Sequence, residues 1–121
     1  MRILVLGGDG YCGWPTALYL SAQGHKIGIM DNFVRRLWDH ELGATTLTPI
    51  RPLQERLRSW KQLTGETIES FTGDVTDYEF LGSVLAEFEP DAVVHFAEQR
   101  SAPYSMIDRK HAVWLQPSFT A

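Results

Sequence analysis

The sequence is poor in cysteine, in excess charge and in long apolar runs. A single cysteine among 121 residues excludes an internal disulfide and a cysteine-cluster metal site, and it favours a reducing compartment. No apolar run approaches the roughly 18 residues that a membrane-spanning helix needs. A net charge of −4 offers no electrostatic attraction to nucleic acid or to an anionic membrane. We therefore expect one intracellular domain with no metal site and no leader peptide ahead of its first strand.

Strand-like and helix-like segments alternate along residues 1–96. The apolar patterns predict strands over residues 3–6, 26–30, 67–71 and 92–96, and helices over 14–23, 53–63 and 78–88. A long connection over 33–52 carries one helical turn around 37–42. This alternation predicts an α/β fold, the N-terminal part of a Rossmann-type doubly wound parallel sheet with strand order 3-2-1-4. Asp77 is predicted to cap the helix over 78–88.

Glycines follow the first predicted strand at a spacing that suits a phosphate. Residues 8–13 match G-x-G-x-x-G, and Gly7, Gly10 and Gly13 also fit G-x-x-G-x-x-G. Glycine lets the backbone turn sharply and lets a pyrophosphate approach without meeting a Cβ atom. The following helix directs free N–H groups and partial positive charge at that pyrophosphate. The alternative is an ordinary tight turn, but the strand before and the helix after favour dinucleotide binding.

Two acidic residues lie at the ends of later strands. Asp31 ends the second strand, where its carboxylate would accept from a ribose 2′-OH and so favour NAD over NADP. Arg35 and Arg36 weaken that argument, because arginines there also receive a 2′-phosphate. The alternatives are that Asp31 is a turn residue at the end of the strand and that the two arginines lie on a solvated loop face. Asp74 follows the third strand, where it would contact the adenine ring or bond its own backbone.

Three longer runs resemble one family. Residues 7–14 (GGDGYCGW), 31–37 (DNFVRRL) and 98–109 (EQRSAPYSMIDR) are similar to the UDP-sulfoquinovose synthase family of extended short-chain dehydrogenases. The last run is not shared by ordinary nucleotide-sugar epimerases. The resemblance covers residues 1–113.

The resemblance implies an NAD enzyme of sulfolipid biosynthesis that converts UDP-glucose and sulfite to UDP-sulfoquinovose. Its members oxidise the sugar transiently at C4, lose water across C5–C6, add sulfite and return the hydride. It also implies a homodimer for the full-length family, and a cytoplasmic or plastid-stromal location. The alternatives are another nucleotide-sugar epimerase or dehydratase, or an NAD-binding module without chemistry.

The resemblance also implies residue roles. The cofactor would be held by Gly7, Gly10, Tyr11, Cys12, Gly13, Asp31, Asn32, Arg35, Arg56, Asp74, Val75 and Arg100. The substrate side would be lined by Arg100, Tyr104 and Ser105. Without the resemblance, Arg56 would be interpreted as part of a solvated helix face.

The family pattern stops at Val113. Residues 114–121 (WLQPSFTA) diverge from it, and Pro117 would interrupt the expected helix. We therefore predict an incomplete NAD-binding domain over 1–113 and a tail over 114–121 that arises from truncation or a changed reading frame. No Tyr-x-x-x-Lys occurs in the sequence. The catalytic residues are expected downstream, and the chain alone is expected to be inactive.

Overall fold

The computed structural model describes residues 1–97, in which strands and helices alternate as predicted. The elements are β1 (Arg2–Leu6), α1 (Gly13–Ala22), β2 (Lys26–Asp31), α2 (Val34–Glu41), α3 (Leu53–Thr64), β3 (Glu69–Thr72), α4 (Tyr78–Phe88) and β4 (Ala92–His95). No helix in this part of the chain is long and apolar enough to span a bilayer.

The four strands form one parallel sheet. Their order is β3-β2-β1-β4, which confirms the predicted topology. Leu6 pairs with Met30 on one side and with His95 on the other. The carboxyl ends of β1, β2 and β4 therefore meet at one edge of the sheet, where ligands bind in open α/β folds.

The core lies on both faces of the sheet. One buried cluster places Ile3 and Val5 with residues of α1, β2 and α3, and the other places Leu4 and Leu6 with Val84 and Phe88 of α4. Successive side chains of a strand point to opposite faces. This explains the unbroken apolar run of β1, because helices cover both of its faces.

Two element starts differ from the prediction by more than one residue. Helix α2 begins at Val34, ahead of the single turn predicted around 37–42. The side-chain oxygens of Asp31 and Asn32 accept from the backbone N–H groups of Phe33 (2.8 Å) and Val34 (3.0 Å), so the chain turns into the helix as soon as β2 ends. Strand β3 begins at Glu69, two residues late, because its pairing with β2 starts at Gly28.

The predicted cap of α4 is confirmed, and it supports a stability prediction. The Asp77 carboxylate accepts from the backbone N–H of Phe80 at 3.1 Å. We expect Asp77→Ala to lower the free energy of unfolding by about 1 kcal/mol, because an N–H of the first turn loses its acceptor. Asp77→Asn keeps an accepting oxygen and should stay within a few tenths of a kcal/mol of the parent chain. Urea unfolding followed by circular dichroism measures both, and equal losses would contradict the capping role.

Candidate functional site

A cleft of about 850 Å³ opens at the carboxyl ends of β1 and β2. This volume lies within the range of roughly 300–1,000 Å³ that is typical of small-molecule sites. Its walls include most of the predicted cofactor residues: Gly7, Gly10, Tyr11, Cys12, Gly13, Asp31, Asn32, Arg35, Arg56 and Val75. Asp74 is the predicted residue of the described range that does not line it. The structure thus brings together residues that lie far apart in the sequence.

The glycine loop between β1 and α1 folds back on itself at the floor of the cleft. Gly7 has a φ of +81°, in the left-handed region, and its N–H donates to the Met30 carbonyl at 2.8 Å. A Cβ atom on Gly13 would lie 2.8 Å from the carbonyl carbon of Gly7, closer than real Cβ atoms come. Gly7 and Gly13 therefore accept no side chain without rearrangement of the loop. Helix α1 starts at Gly13, so its positive end faces the cleft.

Asp31 is fixed beside this loop by two backbone donors. Its Oδ2 accepts from the N–H of Asp9 at 2.9 Å, and its Oδ1 accepts from the N–H of Phe33 at 2.8 Å. Burial raises the pKa of Asp31, and the backbone N–H groups oppose that rise. Each carboxylate oxygen keeps a second lone pair. The side chain can therefore accept from a ligand hydroxyl without leaving its position.

Asp9 is the central residue of a charge cluster that the sequence analysis missed. Its side chain is 7% exposed and accepts from Arg36 through Nε at 2.6 Å and Nη2 at 2.8 Å. Nη2 of Arg56 contacts the same carboxylate and donates to the Asp9 carbonyl at 3.1 Å. Hydrogen bonding to Asp9 raises the pKa of Arg36. The one sequence signal was a carboxylate inside a glycine loop, which identifies no partner.

Arg56 faces the cleft, so the interpretation of a solvated helix face is wrong for this residue. Its side chain is 16% exposed, and its guanidinium lies 4.4 Å from the centre of the Trp14 ring. Within the described range, its buried Nε has no hydrogen-bond partner. A ligand oxygen would satisfy that donor, which suits the predicted cofactor role.

Asn32 and Asp74 bond to each other at the rim. Asn32 Nδ2 donates to Asp74 Oδ2 at 3.1 Å. Oδ1 of Asp74 accepts from the backbone N–H and the hydroxyl of Thr76, at 2.9 and 2.8 Å. The turn chemistry predicted as one of two roles for Asp74 is therefore confirmed. Its contact with adenine stays a prediction.

Several predictions lie outside the described residues. They concern Arg100, Tyr104 and Ser105, the run over 98–109, the domain boundary at 113 and the divergent tail. Within residues 1–97, no group of three or more His, Cys, Asp or Glu side chains is arranged to hold a metal ion.

Comparison with known proteins identifies similar chains. The chain is 59% identical over 115 residues to the chloroplastic UDP-sulfoquinovose synthase of Spinacia oleracea, covering 95% of this chain and 24% of that protein. It is 48% identical over 114 residues to the UDP-sulfoquinovose synthase of Sulfolobus acidocaldarius, covering 94% and 29%. The chain therefore spans about a quarter of the length of these relatives.

A solved structure shares the fold. The UDP-glucose 4-epimerase of Bifidobacterium longum, solved in complex with NAD+ and UDP, superposes with a TM-score of 0.64 at 26% identity. The match covers 88% of this chain and 27% of that one. The model of the NAD dependent epimerase/dehydratase family matches residues 3–115. This chain belongs to the NAD dependent epimerase/dehydratase family.

Proposed function

We propose that the cleft binds NAD, with the pyrophosphate over the glycine loop and the adenosine ribose at Asp31. The observation that carries this proposal is the glycine loop, which leaves no room for a Cβ on Gly13 and whose Asp9 N–H donates to the Asp31 carboxylate at the end of β2. The fixed Asp31 carboxylate and the unsatisfied Nε of Arg56 both suit a ligand with hydroxyl and phosphate oxygens. The residues present therefore fit the cofactor.

The charge at Asp31 favours NAD over NADP. A ribose 2′-OH donates to a carboxylate, whereas a 2′-phosphate brings like charge against it. Arg35 lines the same cleft and is proposed to contact the ribose side. Tyr11 and Cys12 are proposed to contact the cofactor from the loop, and Val75 would flank the adenine.

We further propose that these residues belong to a UDP-sulfoquinovose synthase, which uses UDP-glucose and sulfite. Support comes from the two similar proteins of that name. Bound NAD would accept a hydride from the sugar and return it. Arg100, Tyr104 and Ser105 would lie on the substrate side. The absence of Tyr-x-x-x-Lys from the 121 residues supports the further proposal that they do not catalyse turnover alone. Dimerisation and the cytoplasmic or plastid location stay predictions.

Calorimetric titration of the chain with each dinucleotide tests the cofactor proposal. We expect saturable binding of NAD, with NADP at least about tenfold weaker because of the like charge at Asp31. Absence of NAD binding by a chain with a native circular-dichroism spectrum would overturn the proposal. Formation of UDP-sulfoquinovose from UDP-glucose, sulfite and NAD by this chain would overturn the proposal that it is inactive alone.

A further inference from the structure

We propose that Asp9 is a specificity-determining residue, which excludes NADP by holding Arg36 away from the position of a ribose 2′-phosphate. The inference rests on the proposed NAD function and deepens it. It assigns cofactor discrimination to a second carboxylate, beside that of Asp31.

The guanidinium of Arg36 already donates to acceptors within the protein. Its Nε and Nη2 form a bidentate pair with the Asp9 carboxylate at 2.6 and 2.8 Å. Nη2 also donates to the Arg51 carbonyl at 3.0 Å, and Nη1 donates to the Ile50 carbonyl at 3.4 Å. A guanidinium has five N–H donors, and it recognises a phosphate through two adjacent N–H groups that donate in parallel. In Arg36 the adjacent Nε and Nη2 groups already donate to the buried Asp9 carboxylate.

The Asp9–Arg36 pair lies in the cleft beside Asp31. The backbone N–H of Asp9 donates to Asp31 at 2.9 Å, so the cluster adjoins the carboxylate proposed to receive the ribose. Asp9, Asp31, Arg36 and Arg56 all line the cleft. An arginine at this position of a dinucleotide site is what accommodates a 2′-phosphate. Arg36 thus has the charge and the location to bind the 2′-phosphate of NADP, but it donates to the Asp9 carboxylate instead.

The charges of this cluster balance one another. Asp9 and Asp31 carry two negative charges, and Arg36 and Arg56 carry two positive charges within the same contacts. Asp9→Asn would leave the two cations in excess over one carboxylate, with the bidentate face of Arg36 released. The cleft would then attract the additional charge of NADP.

Titration of four chains with NAD and NADP tests the inference: the parent chain, Asp9→Asn, Asp9→Asn/Arg36→Gln and the control Asp77→Asn. We expect Asp9→Asn to raise the affinity for NADP relative to NAD by about tenfold or more, through a charge-assisted hydrogen bond to the freed guanidinium. The double variant should lose most of that gain. Asp77→Asn makes the same change in net charge at the cap of α4, and its ratio should equal that of the parent chain.

Arg36→Lys alone provides a test that does not depend on the folding of Asp9→Asn, and it keeps the positive charge beside Asp9 while removing the bidentate guanidinium. Because Arg36 is withheld from the ligand in the parent chain, this variant should keep the ratio of NADP to NAD affinity within about twofold. A marked loss of residual NADP binding would show that Arg36 already serves the phosphate, and it would overturn the inference.

The failures of the two proposals are distinguishable. If the parent chain binds NAD and Asp9→Asn keeps the parent ratio, the role of Asp9 is wrong and the NAD proposal stands. A gain in NADP affinity that survives in the double variant also overturns the role assigned to Arg36. A folded parent chain that binds neither dinucleotide overturns both proposals.

Discussion

Gly13→Ala is expected to abolish dinucleotide binding and to lower the free energy of unfolding by about 3 kcal/mol. The added Cβ would lie 2.8 Å from the carbonyl carbon of Gly7 and 2.9 Å from the Cα of Gly8. Both are backbone atoms, so no side-chain rotation relieves the overlap, and the loop must separate from α1. Urea unfolding and calorimetric titration with NAD measure the two effects.

Gly82→Ala is the matched control for this substitution. Gly82 lies in α4 with nothing within 4 Å of a Cβ built on it. Since alanine favours a helix over glycine, this variant should gain about 0.5–1 kcal/mol and bind NAD as the parent chain does. A Gly13→Ala variant that kept the parent stability and affinity would show that the loop tolerates a side chain, and the argument for a phosphate cradle would fail.

Asp31→Asn is expected to weaken NAD binding by at least about tenfold, because the ribose loses a charged acceptor. It should also destabilise the chain by about 1–3 kcal/mol. Asp9 and Phe33 both donate backbone N–H groups to this carboxylate, and an asparagine offers one accepting oxygen for the two donors. Asp77→Asn makes the same charge change away from the cleft and should bind NAD normally. Equal affinities for NAD in both variants would contradict the ribose assignment.

The pH dependence of stability has a defined sign at Asp31. Burial raises the pKa of this carboxyl above its ordinary value of 3.8 in the folded chain. The folded state therefore holds the proton more tightly than the unfolded state does. The contribution of Asp31 to the free energy of unfolding is complete below 3.8 and is lost as the pH rises through the raised pKa. The stability margin of the parent chain over Asp31→Asn should accordingly widen on acidification from neutral pH, and a margin that narrows would contradict the effect of burial.

The sheet and the glycine loop were predictable because their determinants are local. An unbroken apolar run is typical of a strand covered on both faces, and β1 is such a strand. The glycine spacing predicts the tight turn that Gly7 and Gly13 make. The N-cap at Asp77 likewise depends only on a residue three positions further along the chain.

The charge cluster was not predictable, because its partners are distant in sequence. Arg36 lies 27 positions from Asp9, and Arg56 lies 47 positions away. Their convergence depends on how α2 and α3 pack beside the glycine loop, and residue spacing carries no information on that. Charge alone also leaves Arg35 and Arg36 equivalent, although the structure pairs Arg36 with Asp9. The start of α2 was missed although its determinants are local, since the Asp31 and Asn32 side chains accept from backbone N–H groups only two positions further along the chain.

Backbone amide NMR of the chain during titration with NAD shows directly where the dinucleotide binds. We expect saturable shifts at the amides of Gly10, Gly13 and Asp31, which line the cleft. The amide signals of Gly65, at the carboxyl end of α3, and of Gly82, within α4, should keep their chemical shifts. Saturable shifts at the first group alone would place the dinucleotide on the glycine loop. A folded chain whose loop amides do not respond to NAD would contradict the claim that this cleft is a dinucleotide site.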